Sequence, residues 1–173
     1  MSGAGDSSDI AIRLAEEGDI PRILELFEYG SLRAGKEDPA DLPPYRAALS
    51  EISQAPGGVL VAVAGNEVVG VCQLIVFRHL QSRGGLCAEV ESVHVHPDFR
   101  RHGVGRLLMA DALERAGALG CYRLQLTSNV ARGEAHRFYE ALGFEASHRG
   151  FKLIVATDPS VGPPDKADAN LAP

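Results

Sequence analysis

The chain predicts a mixed α/β domain, a sheet with antiparallel pairs early and βα units later, with helices packed on it. Two apolar runs, Val59 to Ala64 and Val68 to Phe77, flank Gly65-Asn66, a pair suited to a tight hairpin turn. Further on, Val93-His94-Val95 passes Pro97 and a basic turn with two glycines, then enters a helical apolar pattern from Val104. Strand, glycine loop and helix start, in that order, aim several backbone N–H groups at one point. Such a point binds phosphate.

The elements follow from local signals. Ile10 to Leu14 alternates as a short strand. Asp19 is placed to cap a helix with Pro21 in its first turn and Ile20, Ile23, Leu24 and Phe27 on one face. Gly30 to Pro44 is a polar connection bearing Pro and Gly. A second helix is expected over Tyr45 to Gln54, before Pro56-Gly57-Gly58. After the hairpin, Arg78 to Gly85 is a loop and Glu89 to Val95 a strand. The helix from Val104 to about Leu119 carries Leu107, Leu108, Ala112, Leu113 and Ala116 near helical spacing. Tyr122 to Thr127 is a strand, and Glu134 to Leu142 a helix stopped by Gly143. Phe144 to Ala146 and Phe151 to Val155 are expected as closing strands. Residues 1–9 and 157–173 are small, polar or Pro/Asp/Ala-rich with little to bury, so the domain is expected over 10–156.

Composition narrows the partners. At 173 residues the chain suits one domain with a real core, and 45% apolar content is ordinary for a globular protein. A net charge of −6 argues against nucleic acid or an anionic membrane as partner, so the arginines near Arg100 are a local exception that favours a small anion. Cys72, Cys87 and Cys121 are widely spaced and suggest neither a disulfide framework nor a zinc site; a reducing cytoplasm is the expected compartment. No basic–apolar leader opens the chain, and no apolar run approaches the roughly 20 residues that span a bilayer. His94 and His96 could begin a metal site, but no third ligand is evident and no metal is expected.

The glycine turn has rivals. A P-loop needs a lysine after its last glycine, and none follows Gly103 or Gly105. A dinucleotide fingerprint needs Gly or Ala where this chain has Leu108. What remains is R-x-x-G-x-G, formed by Arg100, Gly103 and Gly105; by itself an ordinary βα turn with surface arginines would read the same.

The run R-R-H-G-V-G-R-L-L resembles the acyl-CoA diphosphate loop of the GNAT superfamily of N-acetyltransferases. A-H-R-F-Y-E-A-L-G-F, from Ala135 to Phe144, is similar to that family's second signature, A-x-x-x-Y-x-x-x-G-F. The resemblance covers most of residues 10–155. The longer run T-S-N-V-A-R-G-E-A-H-R-F-Y is similar to a branch that includes aminoalkylphosphonate and other small-amine acetyltransferases. Here the link from Asn129 is lengthened by Ala131 to Glu134, which leaves open whether Asn129 meets the cofactor.

The resemblance implies a mostly antiparallel twisted sheet, splayed at the cofactor site, with helices on both faces. It implies acetyl-CoA as co-substrate, held by Val93, His94 and Val95 of the splayed strand and by Arg100, Arg101, His102, Gly103, Val104, Gly105 and Arg106 of the loop. A main-chain N–H of that strand would polarise the thioester carbonyl. Tyr139 matches the tyrosine that protonates the departing thiolate; plain packing on an amphipathic helix would also explain it. Glu91, with Glu89 second, is the candidate for taking the proton of the attacking amine, the alternative being solvated charges on a strand face. Strict alternation would put both glutamates on one face with Val93 and Val95, and His94 with His96 opposite.

The function implied is acetyl transfer to a primary amine of a small molecule by direct attack in a ternary complex. Acetylation of a protein lysine or N-terminus, and a silent acyl-CoA sensor, are the alternatives. Arg33, Arg78 and Arg83 lie in segments expected to border the acceptor and are either anion ligands or solvated surface. A homodimer is common in the family, with no readable signal here.

Overall fold

The computed structural model describes residues 10–30 and 37–153. Five strands form one sheet in sequence order: β1 (Ile10–Leu14), β2 (Gly57–Ala64), β3 (Glu67–Arg78), β4 (Leu86–Val95) and β5 (Cys121–Leu126). The first three pairings are antiparallel and β4–β5 is parallel. The helices are α1 (Ile20–Gly30), α2 (Pro43–Ile52), α3 (Val104–Ala118) and α4 (Gly133–Glu140).

The apolar periodicities sort these elements into layers. Helix α3 turns Val104, Leu108, Met109, Ala112 and Ala116 onto one face of the sheet, against Leu60, Cys72, Leu74, Ala88 and Val90. Gly70 makes that approach possible, because a Cβ there would lie 2.9 Å from Val104 Cγ1. Helix α1 covers the other face with Ile23 and Leu26 against Val61, Val68 and Val71. Each fully buried leucine, such as Leu26 or Leu108, contributes on the order of 1.5–3 kcal/mol of transfer free energy. A mostly antiparallel sheet with helices on both faces is what the family resemblance implies.

The hairpin forms as expected: Ala64 pairs with Glu67 around Gly65-Asn66, and Gly65 takes φ +61°. Other expectations are corrected. Asp19 does not cap α1; it ends a short 3-10 turn, and its carboxylate accepts both Arg13 Nη atoms (2.6 and 2.9 Å) and the Glu16 N–H. A cationic fork outcompetes the helix start. Leu113 is exposed rather than core, because the buried stripe of α3 runs through Met109 and Ala112 instead. The loop after β3 contains a helical turn, Gln81–Gly84, with Ser82 and Arg83 at positive φ. Residues 144–150 form no strand, nor do 151–153; positions 154–155 lie outside the described residues, as do 1–9 and 31–36.

Candidate functional site

Two devices shape the middle of the sheet. First, β4 and β5 part company. Their pairing ends at Val90–Leu126, while β4 continues to Val95 bonded only to β3. Second, β4 carries a bulge. Between the pairs Gln73–Glu91 and Val71–His94 it spends three steps against two on β3, and Ser92 takes φ +54°.

The bulge inverts the expected alternation. Glu89 and Glu91 do share a face, but His94 joins them on the α1 side, where its ring meets Phe27 at 5.3 Å between centroids. Val93 and Val95 turn to the α3-side core instead. His96 also faces α1, with its ring 5.1 Å from that of Tyr29.

The two glutamates lie in a polar row. Gln125 Nε2 donates to Glu89 Oε2 at 2.8 Å, and Thr127 hydrogen-bonds the Glu91 carboxyl. Burial, and then the charge of Glu89, push the Glu91 carboxyl above its ordinary range, which Lys152 and Thr127 only partly offset. A groove of about 390 Å³ opens alongside, lined by Glu51 and Ile52 of α2 and by Gln73 and Ile75 of β3. Gln73 and Ile75 are the register partners of Glu91 and Glu89, so the groove lies one strand away from the two glutamates, which do not line it.

In the loop from β4 to α3, Arg101 (φ +65°) and Gly103 (φ +84°) both take the left-handed conformation, the kind of backbone from which anion-binding concavities are built. No side chain caps α3 at Gly103. The first bond into the helix is Leu107 N–H to Gly103 O, so the N–H groups of Val104, Gly105 and Arg106 meet no acceptor among the described residues. His102 and the side chains of Arg101 and Arg106 are exposed. Gly105 has a packing reason as well: a Cβ there would lie 3.2 Å from Phe138 Cζ.

Tyr139 stands on α4 between Phe138 and Phe144, with centroids at 5.2 and 6.0 Å. Burial raises its phenol above the usual value; the charge of Arg132 opposes this, and Cys72 and Glu91 reinforce it. The charge of Glu91 thus reaches Tyr139. Asn129 is exposed, and its side-chain oxygen accepts the Ala131 N–H at 2.9 Å, closing the turn before α4. His136 holds the Asn129 carbonyl. Arg78 reaches back to the Gly84 carbonyl, bracing its own loop, while Arg33 lies outside the described residues.

Gln73 and Gln125 carry no sequence signal and become visible only through register and contacts, while Thr127 and Arg132 lie in the run before Tyr139 without having been singled out there. The Acetyltransferase (GNAT) family model matches residues 23–144. This chain belongs to that family. It is an N-acetyltransferase. It is 29% identical to glucosamine 6-phosphate N-acetyltransferase of Trypanosoma brucei brucei, over 86% of this chain and 97% of the relative. It is 30% identical to aminoglycoside N(6')-acetyltransferase type 1 of Stenotrophomonas maltophilia, over 76% and 88%. Among solved structures, a transcriptional regulator from Bacillus halodurans C-125 superposes with TM-score 0.79 at 36% identity, covering 84% of this chain and 99% of that one.

Proposed function

We propose that this N-acetyltransferase moves the acetyl group of acetyl-CoA to a primary amine of a small molecule, by direct attack in a ternary complex. The observation that carries this reading is the juxtaposition of unused N–H groups at the start of α3 with the strand tip that bears Glu91. The relatives named above act on small amines, which agrees with it.

The chain's residues divide the work. The N–H groups of Val104, Gly105 and Arg106, with Arg101 and Arg106 nearby, suit the diphosphate of coenzyme A. The stretch Glu91–Val95, free on its β5 side, offers main-chain groups to the pantetheine arm and one N–H to the thioester oxygen, where charge develops. An ammonium with a pKa near 10.4 must lose a proton before attack, which costs about 4–5 kcal/mol at pH 7. Glu91, already less acidic than a free carboxyl, is the acceptor of that proton, and Glu89 holds the row beside it. Tyr139, protonated at neutral pH, returns a proton to the leaving thiolate.

A covalent acetyl-cysteine finds no support. Cys72 and Cys87 are buried, and burial pushes the Cys72 thiol up to about 12, so it carries no thiolate at neutral pH. Initial velocities with acetyl-CoA and an amine varied together test the order of events. Intersecting lines are expected; parallel lines, the mark of an acyl-enzyme, would overturn the ternary complex.

A further inference from the structure

A polar row joins β4 to β5 on the face that carries Glu91. Glu89 is the register partner of Gln125 and Cys87 that of Arg123, and the pairing ends just beyond, at Val90–Leu126. Glu89 therefore stands inside the paired part of the sheet, and Glu91 at the open splay. Gln125 Nε2 donates to Glu89 Oε2 at 2.8 Å. An ionised carboxylate only accepts, so the amide presents its NH2 to Glu89 and turns its oxygen away. On that other side lies the buried Cys87 thiol, 3.8 Å from Gln125 Oε1, with the Ala88 carbonyl as its second acceptor at 3.7 Å. Arg123 Nε donates to the same sulfur at 3.3 Å, and its guanidinium packs 5.4 Å from the centre of the Tyr122 ring. The amide is held at both ends.

The two carboxyls also hydrogen-bond each other, which needs one of them protonated. Their neighbours treat them differently. Glu91 is met by Thr127, by the charge of Lys152 and, from α4, by Tyr139. Glu89 is met by Gln125 and by the charge of Arg123. On β3 the residues opposite are Gln73 and Ile75, which carry no charge, and α2 brings Glu51 to the groove beyond them. Toward α1, burial and then the charges of Arg132 and Arg100 push the His94 imidazole down to about 4, so it is neutral at pH 7.

We propose that Gln125 is a positioning residue for the proton transfer: by binding Glu89 it leaves Glu91, at the splay, as the carboxyl that takes the proton of the amine. This rests on the reading that Glu91 is the base. In the step itself the N–H bond of the ammonium breaks and its electron pair stays on nitrogen. The proton bonds to a Glu91 oxygen, and the new carboxyl O–H donates to Glu89. Without the Gln125 donor nothing reserves Glu89 for accepting, and the proton divides between the two carboxyls. Cys87 and Arg123 keep the amide from turning its oxygen on Glu89.

The test reads the proton directly and needs no acceptor. The free protein, labelled with carbon-13 at its glutamate carboxyls, is titrated by NMR, with Glu89→Gln and Glu91→Gln assigning the two resonances. As pH falls, the first proton taken up by the wild-type pair is expected on Glu91. In Gln125→Met, which keeps the side-chain length and removes the donor, that step should divide between the two resonances. An undivided step in Gln125→Met would overturn the proposal, and so would a divided one in wild type. Thiol release with butylamine as acceptor carries the result to the reaction. Losing a hydrogen bond to the charged form favours protonation, so the acid limb of kcat/KM should move up by ~1 pH unit in Gln125→Met, and further in Gln125→Glu. In a Glu89→Gln background, adding Gln125→Met should leave the limb in place. A limb that shifts there as well would mean that Gln125 does not act through Glu89, and would overturn the proposal. A limb that survives in Glu91→Gln would instead overturn the base assignment, and the titration would still read Gln125.

Discussion

Glu91 gains its character from neighbours that no motif contains. Burial and the adjacent Glu89 raise its carboxyl, so it releases its proton at a higher pH than a free glutamate. A base must be ionised to act, so kcat/KM falls as pH drops through this raised value. Glu91→Gln is expected to lose that acid limb together with ~10²-fold in kcat, as pH–rate profiles would record. Tyr139 has the opposite requirement. Its raised phenol remains protonated through neutral pH, so an alkaline limb belongs above the ordinary tyrosine value of about 10. Tyr139→Phe is expected to lower kcat by at least ~10-fold with little change in the KM for acetyl-CoA. Undiminished kcat would assign the proton elsewhere. Both residues were candidates through the family resemblance, Glu91 by its place on the strand before the loop and Tyr139 by the second signature. Gln73 and Gln125 were not, because their place depends on which strand lies beside which.

Among the elements, β4 shows where pattern reading stops. Alternation correctly paired Glu89 with Glu91, yet one extra residue at Ser92 reversed every side chain beyond it. A bulge of this kind leaves no mark in an apolar–polar pattern, since serine at positive φ looks like any exposed strand residue. The same bulge seats His94 under the end of α1, which forbids a side chain at Gly30. Gly30→Ala is expected to destabilise the fold by about 1–3 kcal/mol in urea denaturation, the usual consequence of overpacking. A neutral result would mean that α1 is free to lift off His94. Near the other end of α1, Asp19 couples β1 to the helix through Arg13. The guanidinium holds the Asp19 carboxyl below its ordinary range, so this stabilisation is complete above about pH 4 and is lost as pH falls through the lowered value. Asp19→Asn is expected to cost about 1 kcal/mol at pH 7, with partial exposure of Arg13 taken into account, and the gap from wild type should close in acid.

At the level of the whole molecule, the two-layer core was readable because α1 and α3 each bury a stripe at helical spacing against strands of alternating pattern. The end of the chain was less readable. Phe144 to Ala146 looks like strand, but an apolar run gives no information on whether a sheet edge is offered to it, and the described residues show none there. The architecture assigns different jobs to its two faces. The α3 side supplies a packed core and the start of a helix whose first N–H groups meet no acceptor among the described residues; the α1 side supplies the carboxylates and two arginines that bond the carbonyls at the end of α1. The splay of β4 from β5 is where the sides communicate, and a thioester placed there would be reached from the Glu91 face. That arrangement is the central claim, and crystals grown with coenzyme A test it most directly. The account predicts the diphosphate within hydrogen-bond distance of the Val104, Gly105 and Arg106 N–H groups, with the thiol beside Glu91 and Tyr139. A diphosphate bound elsewhere, with those N–H groups still facing solvent, would contradict it.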